Sequence, residues 1–362
     1  MFANGAMVHL SPLATECTVR FESGIAHHLE AAPHGDPAMR TRGANQPVCA
    51  AATAAAQIAD MYRVTRSSGS YINPIACSPA NVWDNAFFIL GGRFMQLLDI
   101  GVNLGHESFQ HDLDAVLQRA AAHGVSRMIV TGASRDGSSH ALALAKAYPG
   151  RCFATAGVHP HHAIDYDDAT DTLLRELALD PAVRAVGETG LDYNRNYSPR
   201  EVQLRVFERQ LQIAVDLQKP LFLHQRDAHD DFLALLRRYR DKVPAAVVHC
   251  FTDSGNALRD YLALDCHIGI TGWICDERRG SHLRELVGDI PANRLMIETD
   301  APYLLPRTVR PQPKHRRNEP MYLRHICEEI ARDRGESVDV TAANSTATAE
   351  AFFGLDTARI QT

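Results

Sequence analysis

From Leu97 onward, short apolar runs alternate with segments whose apolar residues recur every three or four positions. The runs cover Leu97–Val102 and residues 127–131, 153–158, 183–187, 221–224, 246–249, 267–271 and 295–298. They are continuous rather than alternating, the pattern of parallel strands buried on both faces. Between them, residues 107–123 place Phe109, Leu113, Val116, Leu117 and Ala120 on one helical face. Residues 201–217 do the same with Leu204, Phe207, Leu211, Ala214 and Val215, and residues 229–240 with Phe232, Leu235, Leu236 and Tyr239. Eight strand–helix units over about 260 residues predict an α/β protein of the (β/α)8 TIM-barrel class. An open doubly wound sheet fits the alternation too, but gives no reason for polar residues to end most of the strands.

Residues 1–94 read differently and form a separate region from the barrel of residues 95–362. They contain no lysine, six arginines and six acidic residues, and are broken by Pro33-His34-Gly35-Asp36-Pro37 and Ser67-Ser68-Gly69-Ser70. Their one clear helical candidate is the alanine-rich stretch 50–61. Met95 stands immediately before the first strand, where a start codon would place it. The expectation is that residues 1–94 precede the natural start; the other reading is a poorly structured extension.

Composition narrows the class. With 45% hydrophobic and 22% charged residues over 362 positions, the chain is globular rather than disordered. A net charge of −6 excludes a uniformly basic coat, so nucleic acid would have to meet a local patch. No run approaches the roughly 18 apolar residues of a membrane span. The eight cysteines include no C-x-x-C pair, and no basic residue precedes Arg20 as a secretory signal would require. Reduced thiols in the cytoplasm are the expectation.

The chemistry lies at the carboxyl ends of the strands, where a barrel of this kind places it. The first strand carries Asp99 and leads to Asn103, and the third leads into His159 and His161. The fourth gives Glu188 and Asp192, the fifth His224 and Arg226, the sixth His249, and the eighth Glu298 and Asp300. Singly, each is an ordinary buried or capping residue; converging on one mouth, imidazoles and carboxylates suit a divalent metal that activates water. G-x-S-x-G, G-x-x-x-x-G-K-[ST] and H-E-x-x-H are all absent. A Cys250–His249 nucleophile pair is disfavoured, because adjacent strand residues point to opposite sides.

Residues 95–354 resemble the TatD family of metal-dependent deoxyribonucleases, among the amidohydrolase-like barrels. The resemblance is carried by Asp99-Ile100-Gly101-Val102-Asn103-Leu104, Gly157-Val158-His159-Pro160-His161, Gly187-Glu188-Thr189-Gly190-Leu191-Asp192 and His224-Gln225-Arg226-Asp227-Ala228. It continues through His249-Cys250-Phe251-Thr252, Glu298-Thr299-Asp300-Ala301-Pro302-Tyr303 and Arg316-Arg317-Asn318-Glu319-Pro320. It implies Glu188, His224, His249 and Asp300 as metal ligands, with Mg²⁺ the usual ion; two imidazoles suit Mn²⁺ or Zn²⁺ as well. Many members carry H-x-H at the first strand, whereas this chain has Gly101 and Asn103, which puts a second ion in doubt.

The resemblance also implies 3′→5′ exonuclease action on single-stranded DNA or RNA, with DNA repair as a setting, by a monomer. On this reading Glu188 and Asp300 are catalytic, Asp300 as proton acceptor. His159 and His161 hold the phosphate or protonate the leaving group. Arg226, Arg278, Arg279, Arg316 and Arg317, the last two in a run with Arg307, Arg310 and Lys314, supply cations at the mouth, and Tyr303 and Trp273 stack on bases. The competing readings are an ester or amide hydrolase on the same barrel, such as an aminoacyl-tRNA deacylase, and a binding protein without activity.

Overall fold

A computed structural model describes residues 95–355 and the backbone of three short strands nearer the N-terminus. The chain divides after Gly92. On the N-terminal side, β1 (Ala6–His9) pairs antiparallel with β2 (Thr18–Phe21), which pairs antiparallel with β3 (Ala26–His27). The helical candidate 50–61 lies outside the described residues.

The second unit has eight strands: β4 (Leu97–Val102), β5 (Val125–Val130), β6 (Cys152–Ala156), β7 (Val183–Asp192), β8 (Leu221–Arg226), β9 (Ala246–Val248), β10 (His267–Ile270) and β11 (Leu295–Ile297). The helices are α1 (Leu113–Ala122), α2 (Arg135–Ala147), α3 (Asp168–Leu179), α4 (Arg200–Leu217), α5 (His229–Tyr239), α6 (Gly255–Ala263), α7 (Ser281–Leu286), α8 (Leu323–Arg334) and α9 (Val338–Phe353). Each strand is followed by a helix, and α9 is an addition after the eighth unit. The sheet runs from β4 to β11 in chain order with every ladder parallel. Beyond β11 the chain returns to β4: Asp300 N donates to Gly101 O and Asn103 N to Ala301 O, both at 2.8 Å. This is a (β/α)8 TIM barrel.

Strand residues sort by parity into two cores. One parity packs outward against the helices, as do Leu221 and Leu223, Ala246 and Val248, and Leu295 and Ile297. The other fills the barrel interior with Leu98, Ile100, Ile129, Ala185, Phe222, Val247 and Met296. Ala349, Phe352 and Phe353 of α9, with Leu355, complete that interior cluster. They enter from the strands' amino ends, since Thr346 Oγ1 donates to Gln96 O, Arg184 Nη1 to Gly354 O, and the Phe352 ring lies against His267. The base of the barrel is thus plugged, which leaves the other end for polar groups.

Two boundaries differ from the pattern for local reasons. The helix expected over 107–123 begins as a separate 3-10 turn, Glu107–Phe109, and α1 starts only after Asp112, whose φ of −142° is not helical. His106 Nδ1 accepts from Ser108 N and caps that turn. Strand β7 does not stop at residue 187 but runs on through Glu188 to Asp192, paired with Leu223–Arg226 partners of β8. No helix among the described residues is long and apolar enough to cross a membrane.

Candidate metal centre

The strand parity that fills the interior also aims the polar residues. Two positions beyond inward Phe222, Val247 and Met296 stand His224, His249 and Glu298, so the apolar floor becomes a layer of ionisable groups one step up the barrel. Glu188 joins them from β7. His159 comes from the turn after β6, where it caps the 3-10 segment Pro160–Asp165.

Three imidazoles converge on one carboxylate oxygen. Glu188 Oε1 is 2.8 Å from His249 Nε2, 3.0 Å from His224 Nδ1 and 3.4 Å from His159 Nε2. Donor atoms of His159, Glu188 and His224 all lie within 4.8 Å of one another, a spacing that one ion can bridge. Asp192, four residues along β7 from Glu188, takes His161 Nε2 at 2.8 Å, and His224 Nε2 lies 3.5 Å from the same oxygen. That His224 nitrogen is buried and makes no hydrogen bond, as a ligand atom awaiting a cation would be. The donor set fits a divalent cation.

The electrostatics are strongly polarised. Burial alone would raise Glu188, but His159, His249 and His224 outweigh it and hold the carboxyl well below its usual range. Burial likewise opposes charge on His249, yet Glu188 and Glu298 on either side raise it well above an ordinary histidine. His224 is raised by Asp192 and Glu188 against the same penalty. For Asp192, the bond from His161 and the charge of the nearby His224 ring overcome desolvation, and its carboxyl is lowered. His159 is the opposite case: burial dominates and keeps it neutral. Its Nδ1 accepts from His161 N at 3.1 Å, so Nε2 is the nitrogen that carries hydrogen. While Nδ1 keeps that bond the ring donates from Nε2, so within the close cluster Glu188 and His224 are the donors left for a cation.

Asp300 follows β11 at a φ of 52° and is half-buried, and desolvation pushes its carboxyl up to about 7. Asn103 Nδ2 donates to Asp300 Oδ1 at 2.9 Å. The residue standing at the second position of H-x-H is therefore engaged in holding Asp300.

The expected cations are placed unevenly. Arg226 ends β8 two residues past His224 and has no carboxylate partner among the described residues, and neither has exposed Arg316. Arg278 pairs with Asp276 at 3.3 Å, and Arg279 lies over the Trp273 ring. Arg317, expected at the phosphate, instead bridges Asp112 at 2.8 Å and Glu319 at 2.7 Å. Its Nη1 also donates to Ser108 O, and the two terminal nitrogens together tie the 315–320 segment to the turn before α1. Tyr303 is 52% exposed, edge-on to His106.

Sequence reasoning gave Tyr197 no place in the site, and named Asp192 and Glu298 at strand ends without assigning them a role. Tyr197 is 64% exposed and packs edge-on to His161 with ring centroids 4.7 Å apart. Asp192 stands four residues along β7 from Glu188, and Glu298 two beyond inward Met296, a signal available from strand parity.

Residues 98–354 match the TatD related DNase family. The chain is 50% identical over 259 residues to the 3′-5′ ssDNA/RNA exonuclease TatD of Erwinia amylovora, covering 72% of this chain and 100% of that one. It is 51% identical over 257 residues to the protein of the same name from Salmonella typhimurium, covering 71% and 98%. The crystal structure of YJJV, a TatD homologue from Escherichia coli k12, superimposes with a TM-score of 0.66 at 28% identity, over 73% of this chain and 100% of that chain. The chain belongs to the TatD related DNase family.

Proposed function

We propose that the barrel is a metal-dependent 3′→5′ exonuclease that removes nucleotides from single-stranded DNA and RNA, with one Mg²⁺ as its resident cation. The observation that carries this reading is the convergence of three imidazoles on Glu188 Oε1 at the open end of the barrel. Relatives of the same length as the barrel, at about half identity, carry the exonuclease name.

Glu188, His224, His249 and Asp300 would hold the cation. A divalent ion bound there supplies positive charge beside the phosphodiester and makes water more acidic. Asp300, with a carboxyl near neutrality and its other oxygen steadied by Asn103, accepts the proton of the attacking water. His159 donates from Nε2 toward the phosphate or the leaving oxygen. Arg226 offers an uncommitted guanidinium to the backbone, and exposed Tyr303 and Tyr197 offer ring faces to unpaired bases. With Asn103 engaged by Asp300 and no side chain at Gly101, the first strand supplies no second set of ligands. All five cysteines described are free thiols, which supports a reducing cytoplasmic location.

The test is digestion of single-stranded oligonucleotides labelled at either end. Wild-type protein with Mg²⁺ should release labelled mononucleotide from a 3′ label and give a shortening ladder from a 5′ label. EDTA and Glu188→Ala should abolish both. Full activity in Glu188→Ala refutes the assignment. Hydrolysis of an aminoacyl ester without release of nucleotides would favour the ester-hydrolase reading.

A further inference from the structure

Glu298 is fully buried inside the barrel, in the layer that also holds His224 and His249, and its carboxyl group has no access to water. Both of its oxygens are engaged. Oε1 accepts from Cys250 N at 2.6 Å, and Oε2 faces His249 Nδ1 at 3.3 Å. Cys250 adopts a φ of 47°, and its amide is the one that reaches this carboxylate. The neighbouring strands leave space for the group: a methyl at Gly101 would overlap Glu298 Oε2, and one at Gly269 would stand 2.6 Å from Oε1. Two side chains are therefore missing from β4 and β10 around this one carboxylate.

The two imidazoles nearest to it in role are wired in opposite senses. In His159 the nitrogen away from Glu188 accepts a backbone N–H, which leaves hydrogen on Nε2. In His249 the nitrogen away from Glu188 faces a carboxylate, which can only accept when ionised. A hydrogen held on Nδ1 frees the Nε2 lone pair. The partner on the far nitrogen thus decides whether each ring donates or ligates.

We propose that Glu298 is the positioning residue for His249: by accepting from Nδ1, it fixes the ring so that Nε2 is the nitrogen presented to Glu188 Oε1 and to the cation. This rests on the reading of the cluster as a cation site. Phe222, stacked on the His249 ring with centroids 4.6 Å apart, limits the ring's tilt but leaves its two nitrogens equivalent. Glu298 removes that equivalence.

The substitution Glu298→Gln tests this in the full-length protein. The amide oxygen can keep the Cys250 N–H, which turns the NH₂ toward His249 Nδ1 and forces that nitrogen to accept. Hydrogen then moves to Nε2. The expected result is a loss of about 10–100-fold in Mn²⁺ affinity by calorimetry, with a melting temperature close to that of wild type in EDTA. Equal Mn²⁺ affinity in the two proteins overturns the role of Glu298. Uptake by neither protein instead refutes the cation site. A measurement on wild type alone decides even if the variant does not fold: in ¹H–¹⁵N spectra of Zn²⁺-loaded protein, His249 should carry hydrogen on Nδ1 and metal on Nε2. Metal on Nδ1 overturns the proposal.

Discussion

Asp99 lies at the seam of the barrel, and its removal should make the protein more stable in a way that depends on pH. The side chain is fully buried, and burial raises its carboxyl from 3.8 to about 8, against hydrogen bonds from Thr299 and Gly101. Oδ1 accepts from Thr299 N at 2.9 Å and Gly101 N at 3.3 Å, while Oδ2 meets Thr299 Oγ1 at 2.5 Å. The folded protein therefore binds a proton here that the unfolded chain releases above its ordinary carboxylate range. A raised carboxyl contributes stability in full below pH ~4, and that contribution is lost as pH rises through ~8. Between these limits the slope is about 1.4 kcal/mol per pH unit, or about 3 kcal/mol from pH 5 to pH 7.

Asn fits the same contacts, its oxygen taking the two amides and its NH₂ donating to Thr299 Oγ1, and it has no proton to lose. Scanning calorimetry of wild type and Asp99→Asn in EDTA reads the difference. At about 2–4 °C per kcal/mol, the melting temperature of the variant should gain roughly 6–12 °C on wild type between pH 5 and pH 7. A gap that stays constant across that range refutes a neutral buried Asp99.

Two further outcomes follow from the packing and the mouth. Phe222→Ala removes a fully buried ring from the barrel interior and should cost about 3–5 kcal/mol in urea unfolding; a cost under ~1 kcal/mol would mean that the interior does not depend on that ring. Tyr197→Ala should raise KM for single-stranded DNA about 5-fold or more with kcat little changed, the mark of lost base stacking. An unchanged KM removes Tyr197 from the substrate path.

Much of the barrel was legible in the sequence because strands buried on both faces announce themselves as unbroken apolar runs. Leu97–Val102 is the clearest, with all six residues buried. The failures came where function interrupts that pattern. Strand β7 continues through Glu188 to Asp192, and polar side chains aimed into a barrel mouth look like the start of a loop. The break before α1 depends on the backbone of Asp112 and a cap from His106, neither of which periodicity records.

The candidate site divides along the same line. Histidines and acids at strand ends could be picked out one at a time, since the barrel alone brings strand ends together. Pairwise commitments could not. Arg317 is spent on Asp112, and Glu298 faces His249, partners 205 and 49 positions away. Tyr197 sits in a connecting segment with no periodic pattern to mark it.

The plug formed by α9 sets an order on synthesis. Asp300 leaves the ribosome well before Phe352 and Phe353, the side chains that seal the base of the barrel. At ~5–20 residues per second, the nascent chain spends several seconds with Glu188, the histidines of the mouth and Asp300 already made while Leu98, Ile100 and Met296 still lack their cover. Misassociation during translation is therefore concentrated at the end of the barrel remote from the chemistry, and changes in the last helix should alter yield before they alter turnover.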